Sequence, residues 1–504
     1  VNAFEGLLHG LESAITPTNL LWLIVGCLLG TLVGILPGLG PPATISILLP
    51  LATGFNPATG LIMMAGIYYG AKYGGSTTSI LLNIPGESSS VVTCIDGYEM
   101  AKKGRAGQAL GIAAIGSFVA GTLGVIGLTF LAPVAADVAV NFGPPEYSAL
   151  MVFALLLVIM LAGDSMLKGF ISMFIGLFLA TIGTDLFSGE QRFTGGQIEL
   201  AGGIEFIALS VGIFAIGEVL VNIEDKTEKK LFEVPKKLRE LLPSKADIKK
   251  STPAMLQGGV VGFIIGILPG AGSTVASFVS YIIAKKTSKT PEEFGHGSIE
   301  GVAAPEAANN SETGGAMVPL LTMGIPGSGT GAVLLGALVL YGLNPGPLLF
   351  HEHADVVWPI IASMYLGNVA LLIMNLPMVP FFAKLLNTPY KVLYPAILLI
   401  SVVGVYSVNF SLFDVGLLVV FGLLGYVMRK LDIPPAPLVL AFVLGPIAEN
   451  SIRQSLLLSD NSPIIYLQRP ISAVLIGVAV LLFGLLTFGR RARKVREQVV
   501  EIDA

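Results

Sequence analysis

The 504 residues are 53% hydrophobic and only 12% charged, where ordinary soluble domains carry about 25% charged residues, and the mean hydropathy is +0.80. This composition excludes a soluble globular fold, and the formal net charge of −4 singles out no class of partner. The two cysteines, Cys27 in the first apolar span and Cys94 in a predicted loop, imply no disulfide framework.

Residues 1 to 17 hold Glu5 and Glu12 but no Lys or Arg, so no basic n-region of a signal peptide is read there and an external start is favoured. The first apolar segment runs into Gly34-Ile35-Leu36-Pro37-Gly38-Leu39-Gly40. Proline removes a helix donor and glycine lowers helix propensity, so this segment is predicted to break inside the bilayer. It forms a hairpin that returns outside near Asn56. A second segment starts at Pro57, passes Gly74-Gly75, breaks again at Ile84-Pro85-Gly86 and crosses inward to Lys102, Lys103 and Arg105. Spans follow near 108–135, 146–163, 167–184 and 204–221.

A lysine-dense linker, Glu224 to Lys250, precedes a recurrence of the whole pattern. Gly266-Ile267-Leu268-Pro269-Gly270-Ala271-Gly272 supplies a second hairpin, entered near Pro253. Gly314-Gly315 and Ile325-Pro326-Gly327 mark a second broken segment, from about Ile299 to Leu343. Spans near 356–376, 392–410, 412–428 and 434–448 follow, with one extra span at about 468–488.

Basic clusters mark the cytoplasmic side: Lys102 to Arg105, the linker, Lys285 to Lys289, Arg429-Lys430 and the tail Arg490 to Arg496. Asp185 to Glu205 and Asn344 to Asp355 read as external. The second half therefore starts inside and the first half outside. The predicted fold is an all-α polytopic integral membrane protein of two inverted-topology repeats, each with a Pro-Gly hairpin and a broken helix. Its divisions are residues 1–223, a charged cytoplasmic linker 224–252, residues 253–466, and a last span with a basic cytoplasmic tail, 467–504.

A helix that restarts at membrane depth presents free N–H groups and a positive dipole end, which favour an anion. Small and hydroxyl residues around the breaks are the candidate substrate ligands: Gly38, Gly40, Ser76, Thr77, Thr78, Asn83, Gly86, Gly270, Gly272, Ser273, Thr274, Gly327, Ser328 and Thr330. The competing reading is that they only pack helices together. Glu306, Asn309 and Asn310 sit at helical i, i+3 and i+4 spacing and offer oxygen ligands for Na⁺, or a proton-carrying acid. They are assigned to ion coupling or its support. Lys72 is either an intramembrane functional group or a snorkelling side chain. His351-Glu352-His353 with Asp355 reads as solvated side chains rather than a metal site. No P-loop, Ser/His/Asp or zinc-protease spacing is present, so no enzyme is predicted.

Four strings carry a family resemblance: Gly34 to Pro41, Tyr73 to Glu87, Ala303 to Asn310 and Gly324 to Thr330. At these residues the chain resembles the large membrane subunit of the tripartite tricarboxylate transporters, the TctA family, over nearly its whole length. The resemblance implies a bacterial inner-membrane secondary transporter importing di- or tricarboxylates such as citrate. It further implies a small four-span membrane partner and a periplasmic binding protein that delivers substrate. No resident cofactor is implied; the coupling ion would be Na⁺ or H⁺. Lys72 and Ser311-Glu312-Thr313 are places where the family is expected to vary. A stand-alone carboxylate transporter, a channel and a membrane-embedded enzyme are the alternatives. Inverted broken repeats favour alternating access over a channel.

Overall fold

The computed structural model describes residues 3–35, 40–83, 85–140, 142–161, 165–185, 187–224, 241–268, 272–346, 348–385 and 390–488. Both Pro-Gly turns expected at Pro37-Gly38 and Pro269-Gly270, most of the central linker and the basic tail lie outside the described residues.

The chain is helical nearly throughout. In its first half, α1 (Ala3–Ala14), α2 (Pro17–Ile35) and α3 (Pro41–Ala52) lead into the long α4 (Pro57–Leu82) and then α5 (Val91–Lys102). Next come α6 (Ala106–Ala139), α7 (Pro144–Leu161), α8 (Met166–Ala180) and α9 (Phe206–Asn222), the last with a π-helical turn at Val211–Ile216. The second half repeats the order with α10 (Lys245–Ile267), α11 (Gly272–Thr287), α12 (Ile299–Met323) and α13 (Gly329–Leu340). It closes with α14 (Ala354–Leu385), α15 (Tyr390–Asn409), α16 (Leu412–Lys430), α17 (Ala436–Leu457) and α18 (Pro470–Phe488). Among the described residues, α2, α6, most of α14 and α16 are long and apolar enough to cross a membrane. Cys94, expected in a loop, stands within α5 and donates to the Ser90 carbonyl. Among the described residues, strand pairing is confined to a small antiparallel clip, Gly183 opposite Arg192 and Thr184 opposite Gln191.

The two broken helices have matching local causes. Asn56 caps α4 by accepting from the Thr59 amide at 2.9 Å, with Pro57 in the first turn, where its missing N–H costs nothing. Ser298 caps α12 by accepting from the Gly301 amide at 3.3 Å. Each helix stops at a left-handed residue, Asn83 with φ 56° and Gly324 with φ 69°. Asparagine and glycine are the residues that tolerate that conformation. The next helix, α13, restarts at Ser328, whose hydroxyl accepts from the Gly331 amide at 3.2 Å.

Both α4 and α12 are buried along most of their length, and a glycine seam fixes each to its neighbour. A Cβ added at Gly26, Gly30 or Gly34 of α2 would lie 2.3 Å from the carbonyl oxygens of Met63, Ile67 and Ala71 in α4. The second half repeats this: Gly258, Gly262 and Gly266 of α10 would meet the carbonyl oxygens of Ala304, Ala308 and Glu312 at 2.5, 2.2 and 2.4 Å. Such backbone approach is how small residues hold membrane helices together.

Apart from the Lys72–Glu87 and Arg429–Glu218 pairs, the charged contacts fall at two ends of the molecule, with α6 running from one to the other. At one end lie Arg105–Asp247 at 2.9 Å, Lys250–Glu293 at 2.6 Å and the Lys430–Glu224 pair. At the other lie Arg453–Asp185 at 2.9 Å, Arg192–Glu449 at 2.7 Å and His351–Asp137 at 3.5 Å.

Candidate functional site

The segments that follow the breaks converge. A cavity of about 550 Å³ is lined by Gly40 to Ala43 from the first break, Pro85 to Ser88 from the second, Gly272 to Thr274 from the third and Ser328 to Thr330 from the fourth. Phe214 and Glu218 of α9, Arg429 of α16, Pro435 and Ala436 near the start of α17, and Lys72 of α4 complete the wall. This volume falls in the range of small-molecule sites.

Helix starts dominate the lining, because α3, the turn leading into α5, α11 and α13 all begin there. Their unsatisfied amides and dipole ends make the cavity favourable to anions. The starts are not equal. Pro41 and Pro42 remove two donors from α3, whereas Ser273, Thr274 and Thr330 keep their amides and add hydroxyls.

Two cations meet this wall, each with a protein carboxylate. The Lys72 ammonium, 2% exposed, pairs with Glu87 Oε1 and donates to Ser273 Oγ at 2.6 Å. It also lies 5.5 Å from the centre of the Tyr68 ring. The snorkelling reading of Lys72 is thereby corrected: the side chain is held in the interior by an acid and a hydroxyl. Glu87 stands at the start of the helical turn into α5, where its own amide donates to Ser90 Oγ. It is thus an internal anion at a helix start, the place a ligand anion would favour. On the opposite side of the sequence repeat, Arg429 Nε reaches Glu218 Oε2 at 2.8 Å. Its guanidinium also donates to the Ile213 carbonyl at 2.8 Å and the Phe214 carbonyl at 3.3 Å. These carbonyls belong to the π turn, whose irregular bonding leaves backbone acceptors for a side chain.

Of the sequence-derived candidates, Gly40, Gly86, Gly272, Ser273, Thr274, Ser328 and Thr330 line the cavity. Gly38 and Gly270 lie outside the described residues. Others are placed elsewhere: Thr78 donates to the Ile35 carbonyl at 2.8 Å, tying α4 to α2, and Asn83 terminates α4. Thr77 lines a separate small pocket with Tyr73 and Asn375, and Gly327 packs near Ala316. Ser76 donates to Glu306 Oε2 at 2.5 Å.

Glu306, Asn309 and Asn310 form one fully buried cluster. The Glu306 carboxyl accepts from Ser76, Thr93 and, at 3.4 Å, Asn309. Asn310 donates to Ser117 Oγ at 2.7 Å and to Asn309 Oδ1 at 2.6 Å. Sequence reasoning left out Glu87, Glu218 and Arg429. Glu87 was visible beside Pro85-Gly86, but its partnership with Lys72 depends on a fold-back across the break. Arg429 reads in sequence as an interfacial charge at the end of an apolar helix.

Comparison with known proteins agrees with this architecture. A protein of Agrobacterium vitis described as "Uncharacterized 52.8 kDa protein in TAR-I ttuC' 3'region" is 48% identical over 495 residues, 98% of each chain. A second from the same organism, "Uncharacterized protein in TAR-II ttuC' 3'region", is 43% identical over 242 residues, covering 48% of this chain and all of its own. No solved structure matches. The family model of the tripartite tricarboxylate transporter TctA family matches residues 20–440, and the chain belongs to that family.

Proposed function

We propose that the chain is the translocating subunit of a binding-protein-dependent secondary transporter that imports di- or tricarboxylates into the bacterial cell across the inner membrane. The observation that carries this reading is the meeting of all four breaks, two from each half, on one cavity. Broken helices at membrane depth persist where their freed backbone lines a cavity, and paired breaks in two halves mark substrate sites. The recurring helix order and the two glycine seams support the inverted-repeat frame, divided at residues 1–223, 224–252, 253–466 and 467–504. The Lys/Arg asymmetry of the sequence supports a cytoplasmic linker and tail, with the N-terminus and the Asp185 loop periplasmic.

Substrate carboxylates sit against the amides of Gly272 to Thr274 and Ser328 to Thr330, and exchange with Glu87 for Lys72 and with Glu218 for Arg429. Uptake is driven by Na⁺ or H⁺, because neutral donors and two already paired cations do not neutralise a polyanion. Glu306, Asn309 and Asn310 support the coupling region. A small four-span membrane protein and a periplasmic binding protein complete the assembly. Reconstituting the chain with both partners in vesicles tests the reading. Concentrative uptake of at least one labelled di- or tricarboxylate under an inward Na⁺ or H⁺ gradient is the expected result. Uptake of none, with all three proteins folded, would refute it.

A further inference from the structure

Lys72 and Glu312 stand at equivalent places in the duplicated sequence, each two residues ahead of its Gly-Gly pair. Both are buried, and Glu312 is 1% exposed. Lys72 and Glu87 bear electrostatically on the Glu312 carboxyl, with the Tyr68 side chain beside it. The Tyr68 hydroxyl is directed at the Glu312 carboxyl; no other donor among the described residues is in hydrogen-bonding geometry with Oε1 or Oε2 of Glu312, and none with Oε2 of Glu87. One ammonium therefore faces two carboxylates, and its hydrogen bonds go to Glu87 and Ser273. Burying a carboxylate that no cation pairs with is costly, so one more positive charge would stabilise the cluster. Glu306, earlier on the same helix, differs in kind, because hydroxyl and amide donors already occupy it.

We propose that Glu312, with Glu87 and Lys72, forms the binding site for one exchangeable monovalent cation, H⁺ or Na⁺, and that this is the coupling ion; the second clause rests on the transport reading above. As a proton, it adds to a Glu312 carboxylate oxygen from water and returns to water on release. As Na⁺, it is ligated by Glu312 and the free oxygen of Glu87, oxygen ligands being those a hard cation takes. The site communicates with the cavity through Lys72 and Glu87, which line it. A ligand anion that draws Lys72 from Glu87 leaves the cluster more negative and tightens the cation. By reciprocity the bound cation tightens the anion.

The titratable groups facing Glu312 are Tyr68, Tyr69 and Lys72 from α4 and Glu87 from the second break. The charged residues of the neighbouring α6, α10 and α11, among them Asp137, Lys245, Asp247, Lys285 and Lys286, lie toward the ends of those helices.

The test uses the purified full-length chain without substrate, reading its thermal midpoint as cation binding stabilises the folded state. One arm titrates Na⁺ against K⁺ at fixed pH and ionic strength; the other titrates pH in Na⁺-free medium. Wild type is expected to gain stability in one arm, which names the ion. Glu312→Gln should abolish that gain or shift its midpoint by about tenfold or more, an energy of about 1.4 kcal/mol, while Asp137→Asn, an exposed acid near the end of α6, keeps it. Lys72→Met should move the midpoint the opposite way, to lower Na⁺ or higher pH. If Glu312→Gln does not fold, Glu312→Asp, which withdraws the carboxylate by one methylene, should shift the midpoint instead. A wild-type cation response in the Glu312 variants, or no response in wild type, overturns the proposal. Because no carboxylate is present, a chain that responds through Glu312 yet transports nothing leaves the cation site standing and refutes only the transport reading.

Discussion

The broken helices α4 and α12 share a frame: a side-chain cap at the start, a left-handed stop, and a glycine-seamed partner. Their polar content differs. Toward its break α4 carries Lys72 and the hydroxyls Ser76, Thr77, Thr78 and Ser79, whereas α12 carries Glu306, Asn309, Asn310 and Glu312. Ahead of the same Gly-Gly pair one helix places a cation and the other an acid. The restarting helices differ likewise, since the first half opens α3 with Pro41-Pro42 and the second opens α11 with Gly272-Ser273-Thr274. The recurring helix order thus supplies matching backbone frames, and the two broken helices differ in the charge they place ahead of the Gly-Gly pair.

Breaking the electrostatic half of this comparison should have the largest effect. Lys72→Met leaves Glu87 and Glu312 buried without the ammonium, and removing one partner of a buried ion pair costs about 3–5 kcal/mol. Pairing it with Glu87→Gln should return a substantial part of that loss, a coupling that thermal unfolding of the four proteins in a double-mutant cycle measures. Additive losses would separate the two residues.

Breaking the shared half should affect the two repeats alike. Gly30→Ala and Gly262→Ala each place a Cβ against a carbonyl oxygen, at 2.3 and 2.2 Å before any shift, and overpacking of this kind costs about 1–3 kcal/mol. Thermal midpoints lowered by similar amounts are expected. A loss in one half only would mean that the two seams do not do the same work.

A smaller effect is expected at Ser273, the second half's contribution to Lys72. Ser273→Ala removes one hydrogen bond while Glu87 still holds the ammonium, so the loss stays near the net worth of an ordinary hydrogen bond, about 0.5–1.5 kcal/mol. Carboxylate binding should weaken more than stability falls; the reverse would make Ser273 a packing residue.

The smallest change belongs to the charged end remote from the breaks. The Phe187 amide, followed by Arg453, holds the Asp185 carboxyl below its usual range. A depressed folded-state pKa stabilises above the unfolded value and is lost as pH falls through the folded one. Acid titration of wild type against Asp185→Asn should therefore show a slight acid-side loss that the variant lacks. Equal acid limbs would remove Asp185 from the clip.

Much of the frame was legible in sequence because proline, glycine and caps act locally. The breaks at Pro85-Gly86 and Pro326-Gly327, and the helices between Ala106 and Asn222 and between Ala354 and Phe488, of which α6, most of α14 and α16 are long and apolar enough to span, follow from residue chemistry within a few positions. The site was legible only in part. Gly272 to Thr274 and Ser328 to Thr330 could be found from their breaks, because a helix start carries its own donors. Thr78 could not be told from a ligand, since its hydroxyl is spent on the Ile35 carbonyl 43 residues away in sequence. Arg429 was hidden for the converse reason: its partners, Glu218 and the π-turn carbonyls, come from a helix more than 200 positions earlier. Charge pairing across distant helices leaves no local periodicity to read.

The central claim, that the four breaks form one carboxylate site, is tested most directly by substrate protection of single cysteines. In the full-length chain with Cys94→Ala, cysteine is introduced singly at Ala43, Ser88, Thr274 and Thr330, one residue from each break, and at Ser188 as a remote control. Alkylation by a water-soluble thiol reagent is timed with and without citrate and a panel of other di- and tricarboxylates. At least one carboxylate should slow labelling at all four break positions and leave Ser188→Cys unchanged. Protection at only one break, or at none with any member of the panel, would contradict a shared site.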